Sequence, residues 1–534
     1  MFIRHRQGTA VFGKIRLMTP DSLSSYLTEF LSSASDAIVL EDGAATFDLR
    51  QSRYSISGEY NKCLLHLWSP ERNIVRRVLD FETKNDTLRL QVQRLGQTKP
   101  SKLEICRERD RRTPTARRTA RLAYQRTLRR ILERRFSAYK VQQLTTSANL
   151  ERSFGPIYTR GLIRQGQSAF AILGVNAQET QASIDAALTF AILWLDFCRQ
   201  SQMGKCLVEG LKLFVPAGCG ELTRERMAHL NQAAAKWHLY ALDENEDALT
   251  KIDISDRGNL RTRLVHFADS SSVRNRFAPE ITRILELMCE AEIAVLSAGE
   301  ITFRCHGLEF AKARLACQPG SFRNTTEIVF GLGAEERVLD SNTIGDFKRL
   351  INGIGEVRHA EGPRDHTLWR LHSERWMESL VVKNVSAIDE RLSADYLYSQ
   401  VPAFSASDRA MIDVLTSTRE GQLAVVELKA DEDIHLPLQG LDYWSRVAWH
   451  HSRGEFNKFG YFRRRELSVR GPLLFLVAPV LHIHPATDTL LRYISPEIDC
   501  TVVGIAEQWR EQVKVIFRKK RGSLNETASL ALSA

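Results

Sequence analysis

Two carboxylates and one ammonium stand out between positions 413 and 429 because the residues around them are apolar. Asp413 falls inside Met411–Leu415, a strand candidate, and Glu427 and Lys429 mark the end of a second, Gln422–Leu428. Side chains alternate along a strand, so Glu427 and Lys429 share a face. The turn Ser417–Gly421 folds the first strand back beside the second and can bring Asp413 to the same spot. Buried carboxylates repel unless a cation joins them. A hard divalent ion, Mg²⁺ or Mn²⁺, suits two carboxylates plus waters. Such an ion can acidify a water and neutralise the charge developing on a phosphate, while Lys429 positions the water or stabilises that charge. The chemistry this spells is metal-assisted phosphodiester hydrolysis. Taken singly, Asp413 could be a strand-end residue, and Glu427 with Lys429 a surface pair on an edge strand. Ala424–Val426 instead predict a central, buried strand, where charges are costly without a role.

Flanking residues extend the pattern. Glu374-Arg-Trp-Met-Glu378-Ser-Leu-Val predicts a helix upstream, and Tyr398–Phe404 predicts a further strand. After Pro437 a helix is expected, with Gln439 and Tyr443 one turn apart on one face; Tyr443 could also be core beside Trp444 and Trp449. Asp413 followed by Glu427-Leu-Lys429 resembles the PD-(D/E)xK nuclease superfamily. Gln439 and Tyr443 resemble the Q-x3-Y element of its RecB-like branch, and the order of elements resembles the catalytic half of NucS-like endonucleases. The resemblance covers about 130 residues of a 534-residue chain. It departs from the usual pattern at Ile412, where the family often has proline. It implies a restriction-endonuclease-like αβββαβ core over 371–517. It also implies Mg²⁺ (or Mn²⁺) on Asp413 and Glu427, a water positioned by Lys429, assistance from Glu378, and Gln439 and Tyr443 beside the metal or the DNA.

Composition frames the rest. The chain is 43% hydrophobic and 26% charged, as ordinary globular proteins are, which excludes collagen-like, disordered and disulfide-scaffold classes. Nine cysteines are scattered without C-x2-C spacing; this argues against a zinc ribbon and suits a reducing compartment, so a cytoplasmic location is expected. The basic N-terminus lacks an apolar signal core. The uncharged run Ala186–Leu195 is too short to cross a bilayer and reads as a buried helix, so no membrane partner is expected. The formal charge is +10, unevenly placed. Arg107–Phe136 holds 12 Arg against Glu108, Asp110 and Glu133, whereas 371–517 has 16 Lys plus Arg against 20 Asp plus Glu. A basic helix beside an acidic domain suggests that Arg117, Arg118, Arg121, Arg129 and Arg130, with Arg446, contact nucleic acid, here DNA; a solvated surface helix is the alternative.

The expected architecture is multidomain α/β and α+β. It comprises a β-rich barrel or sandwich at 20–106, an Arg-rich helical segment at 107–149, and an α/β domain of unknown role at 150–254. An α+β region at 255–370, the nuclease-like domain at 371–517 and a basic then flexible tail at 518–534 complete it. Helices are expected at 222–236 and 279–293, and His482 and His484 on one strand face, more structural than metal-ligating. No nucleotide-cradling glycine motif occurs. The expected function is a metal-dependent endonuclease or exonuclease acting on DNA. The rival is a nucleic-acid-binding or scaffold protein with an inactive nuclease-like domain. Homo-oligomerisation is left open.

Overall fold

Alternation at Cys63–Trp68 buries Cys63, Leu65 and Leu67 on one side of a strand. That strand is one of seven in an antiparallel sheet, covered by a helix, Pro20–Ser32, whose Leu23, Leu27, Phe30 and Leu31 fill the core. The expected barrel or sandwich is therefore one sheet with a helix as its second layer. This sheet belongs to the unit Met1–Thr119; a second unit runs from Ala120 to Ala534. The computed structural model describes residues 20–521, apart from 33, 35–36, 42–43, 50–51, 58–61, 69–72, 85–86, 95–99, 107–113, 150–152, 245, 258–259, 261, 318–323, 333–335 and 406–408. The turns expected around Gly43, Asp86 and Gly96, the start of the Arg-rich run and the tail after Arg521 lie outside the described residues.

The second unit starts along α1 (Pro114–Arg135), with proline at its first position as expected. Six strands follow: β1 (Lys140–Thr145), β2 (Thr159–Gln165), β3 (Ser168–Gly174), β4 (Leu207–Pro216), β5 (Lys236–Asp243) and β6 (Ala248–Ile252). They lie in sequence order in one sheet. β1, β2 and β3 are antiparallel, β4 and β5 are parallel to β3, and β6 is antiparallel again. The crossover from β3 to β4 runs through α2 (Ala187–Ser201), and that from β4 to β5 through α3 (Glu221–Met227). With the short helix before it, Gln181–Asp185, α2 forms a stretch, Gln181–Ser201, long and apolar enough to cross a membrane. Its Leu188, Ala191, Ile192 and Leu195 are instead buried against the sheet. The helix expected over 222–236 stops at Met227; Leu230 then bridges Ile494, and Asn231 Oδ1 accepts the Ala233 N–H in a turn.

Beneath α1, Lys212 is 6% exposed and lies 4.2 Å from the Phe170 ring centroid and 5.0 Å from that of Phe136. Burial pushes its ammonium down to about 8. Desolvating a charge outweighs what aromatic faces return. Lys212→Met is therefore expected to stabilise the protein by about 1 kcal/mol, read as a higher melting temperature; a lower one would show the cation–aromatic contacts dominating.

A five-stranded antiparallel meander follows, Glu292–Ser297 to Arg337–Val338, with its core packed against helices Ala278–Leu287 and Ile344–Val357. The helix expected to reach Ile293 ends at Leu287, and Ile293 and Val295 begin a strand whose alternation the helical period had absorbed.

The C-terminal lobe opens with α4 (Ser373–Lys383). Then come β7 (Tyr398–Ser405), β8 (Arg409–Ser417), β9 (Leu423–Leu428), α5 (Leu436–Ser452), β10 (Leu473–Pro479), α6 (Thr487–Tyr493), β11 (Cys500–Ile505) and β12 (Val515–Lys520). Helix, three strands, helix and strand follow in the expected order. β9 pairs with β8 on one side and β10 on the other, so it is central, and all six of its residues are buried. His482 and His484 do not lie on a strand. Pro479 ends β10, and a 3₁₀ turn, Val480–His482, takes over. There His482 faces Glu507 at 3.6 Å and His484 faces Glu432 at 3.9 Å.

Candidate active site

The β8–β9 ladder gives out where the charges begin. Its last backbone pair is Val414 with Val426. One residue on, the Asp413 carboxylate takes over and accepts the Leu428 N–H at 3.0 Å. That bond fixes Asp413 beside the strand carrying Glu427. Lys429 follows immediately; its N–H is held by Val477 O at 2.9 Å, and its ammonium lies 3.5 Å from Glu427 Oε1 and 3.4 Å from Glu374 Oε1.

Helix α4 supplies the next acid. Trp376, Met377 and Val381 pack onto Val414, Ala424 and Val426. This seats Glu378, 3% exposed, over β7 and β8. Gln400 lies opposite Asp413 on β7, with φ +53°, a region that few residues other than glycine enter. Its amide donates to Glu378 Oε2 and reaches Asp413 Oδ1 at 3.5 Å. Backbone strain held by surrounding structure tends to gather where function demands a fixed side chain. Arg375 stands 3.3 Å from the same Glu378 oxygen.

Crowded acids out of water resist ionisation. Burial, with Asp413 as a nearby charge, holds the Glu427 carboxyl well above the usual range. Burial pushes Asp413 up to about 6 and Glu378 to about 8. For Lys429, burial alone would favour the neutral amine, but Glu427, Glu374 and Asp413 outweigh it and hold the ammonium above its ordinary value. Tyr443 keeps its proton far into the alkaline range through burial and the neighbouring Glu427 and Asp413 carboxylates.

A cleft of about 530 Å³ is lined in part by Glu374, Arg375, Gln400, Asp413, Asp431 and Tyr443. Of the sequence-predicted residues, Asp413 and Tyr443 line it, while Glu427 and Lys429 are linked to it through Glu374, and Glu378 through Gln400. Gln439, one turn before Tyr443, does not line the cleft; its Oε1 is buried without a hydrogen-bond partner. Arg446 does not face a phosphate: it is 4% exposed, with its guanidinium 6.0 Å from the Tyr443 ring centroid. Among the α1 arginines, Arg121 is held by Glu179 at 2.8 Å, Arg130 by Asp247 at 2.7 Å, and Arg129 stands 3.7 Å from Glu133. Arg118 is exposed, and the side chain of Arg117 lies outside the described residues. Sequence reasoning missed Gln400, Glu374 and Arg375. For Glu374 the signal was present, since it precedes Glu378 by one helical turn.

Could the pocket take a divalent ion? Glu427 Oε2 and Gln400 Oε1 are buried acceptors without a hydrogen-bond partner. Buried oxygens in that state carry a desolvation cost that a cation would relieve. Among the described residues no group of three or more His, Cys, Asp or Glu is arranged to hold a metal. Asp413 and Glu427 are the two carboxylates at the strand end, and two carboxylates plus waters are the kind of set that Mg²⁺ accepts.

No protein-family model matches the chain. No curated protein matches it either. Among solved structures the chain is similar to a repair endonuclease from Pyrococcus abyssi, at 10% identity, over 39% of this chain and 92% of that one, with a TM-score of 0.15. That likeness is too slight to bear on the site.

Proposed function

We propose that the C-terminal lobe hydrolyses phosphodiester bonds of DNA with a bound Mg²⁺ or Mn²⁺, on a restriction-endonuclease-like core. The observation that carries this reading is the convergence of Asp413, Glu427 and Lys429 at the end of a central buried strand, with one Glu427 oxygen unsatisfied. Asp413 and Glu427 would hold the ion. When bound, it supplies Lewis-acid stabilisation of the phosphate charge and a more acidic water. Lys429, kept charged by Glu427 and Glu374, orients the attacking water and donates to the developing negative charge. Glu378 fixes Gln400, and Gln400 in turn steadies the Asp413 carboxylate. Tyr443, protonated throughout, offers a hydroxyl donor at the cleft wall. The exposed arginines of α1 support a role in holding phosphates.

Purified chain with Mg²⁺ or Mn²⁺ is expected to cut single-stranded, duplex or branched DNA and to stop when the metal is chelated. No cutting of any of the three with either metal would contradict the proposal. A second reading, a binding lobe without catalysis, draws on the absence of a three-ligand metal group among the described residues. Salt-sensitive DNA binding without metal-dependent cutting would establish it.

A further inference from the structure

The lobe at 114–252 repeats the fold of the lobe at 373–520. In both, a helix precedes six strands that lie in sequence order; the C-terminal sheet has in addition a short strand, Thr262–Arg263, at the outer edge of β7. Three are antiparallel, the next two run parallel to the third, and the sixth is antiparallel. In both, the two crossovers are helical. The registers agree as well. Lys429 N–H bonds Val477 O, and Val175 N–H bonds Phe214 O; two residues later the strands end, at Pro479 and Pro216.

That equivalence converts catalytic positions one by one. Lys429 corresponds to Val175 and Glu427 to Leu173, both buried apolar residues. Asp413 corresponds to Arg160, reached through the pairing of Leu173 with Arg160. Arg160 is 2% exposed, and its Nη1 and Nη2 donate to the Gly155 and Ser147 carbonyls. No acid or amine is left to cut. The leading helices differ in the same sense: α4 carries Glu374 and Glu378, whereas α1 carries eight arginines and one glutamate.

The two lobes meet about an approximate twofold axis. Helix α2 packs on α6, and its counterpart α5 packs on α3, the counterpart of α6. Arg226 of α3 pairs with Asp442 of α5, and Arg492 of α6 lies 3.6 Å from Asp196 of α2. Between them, Leu230 and Ile494 form an antiparallel bridge. Asn231 N–H bonds Tyr493 O, and Ser495 N–H bonds His229 O. At the N-terminal ends of the two crossover helices, Thr189 Oγ1 is 2.9 Å from His435 Nδ1. Each of those helices is the first crossover after the strand whose end carries Lys429 or its counterpart Val175. The cutting end and its emptied counterpart therefore lie at the same end of the pair.

We infer that residues 114–252 are a catalytically emptied copy of the C-terminal lobe that holds duplex DNA, so that each chain breaks one strand per encounter. This rests on the proposed hydrolysis at Asp413, Glu427 and Lys429. The strands of a duplex are themselves related by twofold axes, so a twofold protein presents one half to each strand. Here one half cuts. One water is consumed: its oxygen bonds to phosphorus, one P–O ester bond breaks, and the leaving oxygen takes a proton. The products are a phosphomonoester and a hydroxyl on a single strand.

Supercoiled plasmid with Mg²⁺ reads the outcome, with chain dilute enough that one molecule meets one plasmid. The expected result is conversion to open circles, with linear molecules appearing only after open circles predominate. Linear molecules formed without an open-circle stage would overturn the inference while leaving the hydrolysis intact. A second measurement needs no activity: hydroxyl-radical footprinting of Asp413→Asn on a duplex. Protection of both strands in a twofold-related pattern is expected, and protection of one strand alone would overturn the emptied copy's role. A protein that protects both strands but never cuts would sink the hydrolysis instead.

Discussion

Lys429→Ala is expected to slow metal-dependent DNA cleavage by about a thousandfold, the scale of losing one preorganised donor to a developing charge. The side chain ends β9, and its ammonium is the cation nearest Glu427 and Glu374. Removing it leaves Asp413 and Glu427 in place to take the ion, so the loss should appear in the chemical step rather than in substrate binding. Single-turnover cleavage at saturating metal, with circular dichroism as the fold control, checks this. Lys429→Arg should recover part of the rate, since it restores the charge with a different reach. Unchanged cleavage by Lys429→Ala would remove this residue from the mechanism.

Arg226→Ala is expected to cost about 3–5 kcal/mol of stability, as does breaking one side of a buried pair. The guanidinium is 8% exposed, meets both Asp442 oxygens at 2.9 and 2.7 Å, and also donates to Asp185 O at 2.6 Å. Truncation strands the Asp442 carboxylate between the two lobes. Because Asp442 adjoins Tyr443, cleavage should fall as well. Urea unfolding measures the effect; a loss below about 1 kcal/mol would mark the pair as one that water replaces readily.

Asp413, Glu427 and Lys429 were legible because charge inside an apolar strand is an anomaly with few physical excuses. Glu378 and Tyr443 were legible from their spacing on helices. Gln400 was not: its role depends on a positive φ set by the strands around it, and nothing local in Ser399-Gln400-Val401 announces that. Arg446 shows the converse. Helical spacing placed it one turn from Tyr443 but said nothing of its depth, and the lobe at 114–252 covers that side of α5. The repeated fold escaped for a related reason. Once Val175 and Leu173 stand where Lys429 and Glu427 stand, no charged motif remains, and the likeness survives only in strand order and register. Helix ends at Met227 and Leu287 were overrun because one turn and one alternating strand both continue an apolar pattern that a helix also satisfies.

The central claim is that Asp413 and Glu427 together hold the ion that cleavage requires. Titration of the full chain with Mn²⁺, followed by the loss of the free-ion paramagnetic signal, tests it without DNA. The expected result is one tightest site in the wild-type protein, missing from both Asp413→Asn and Glu427→Gln while each variant stays folded. A binding curve unchanged by either substitution would contradict the assignment.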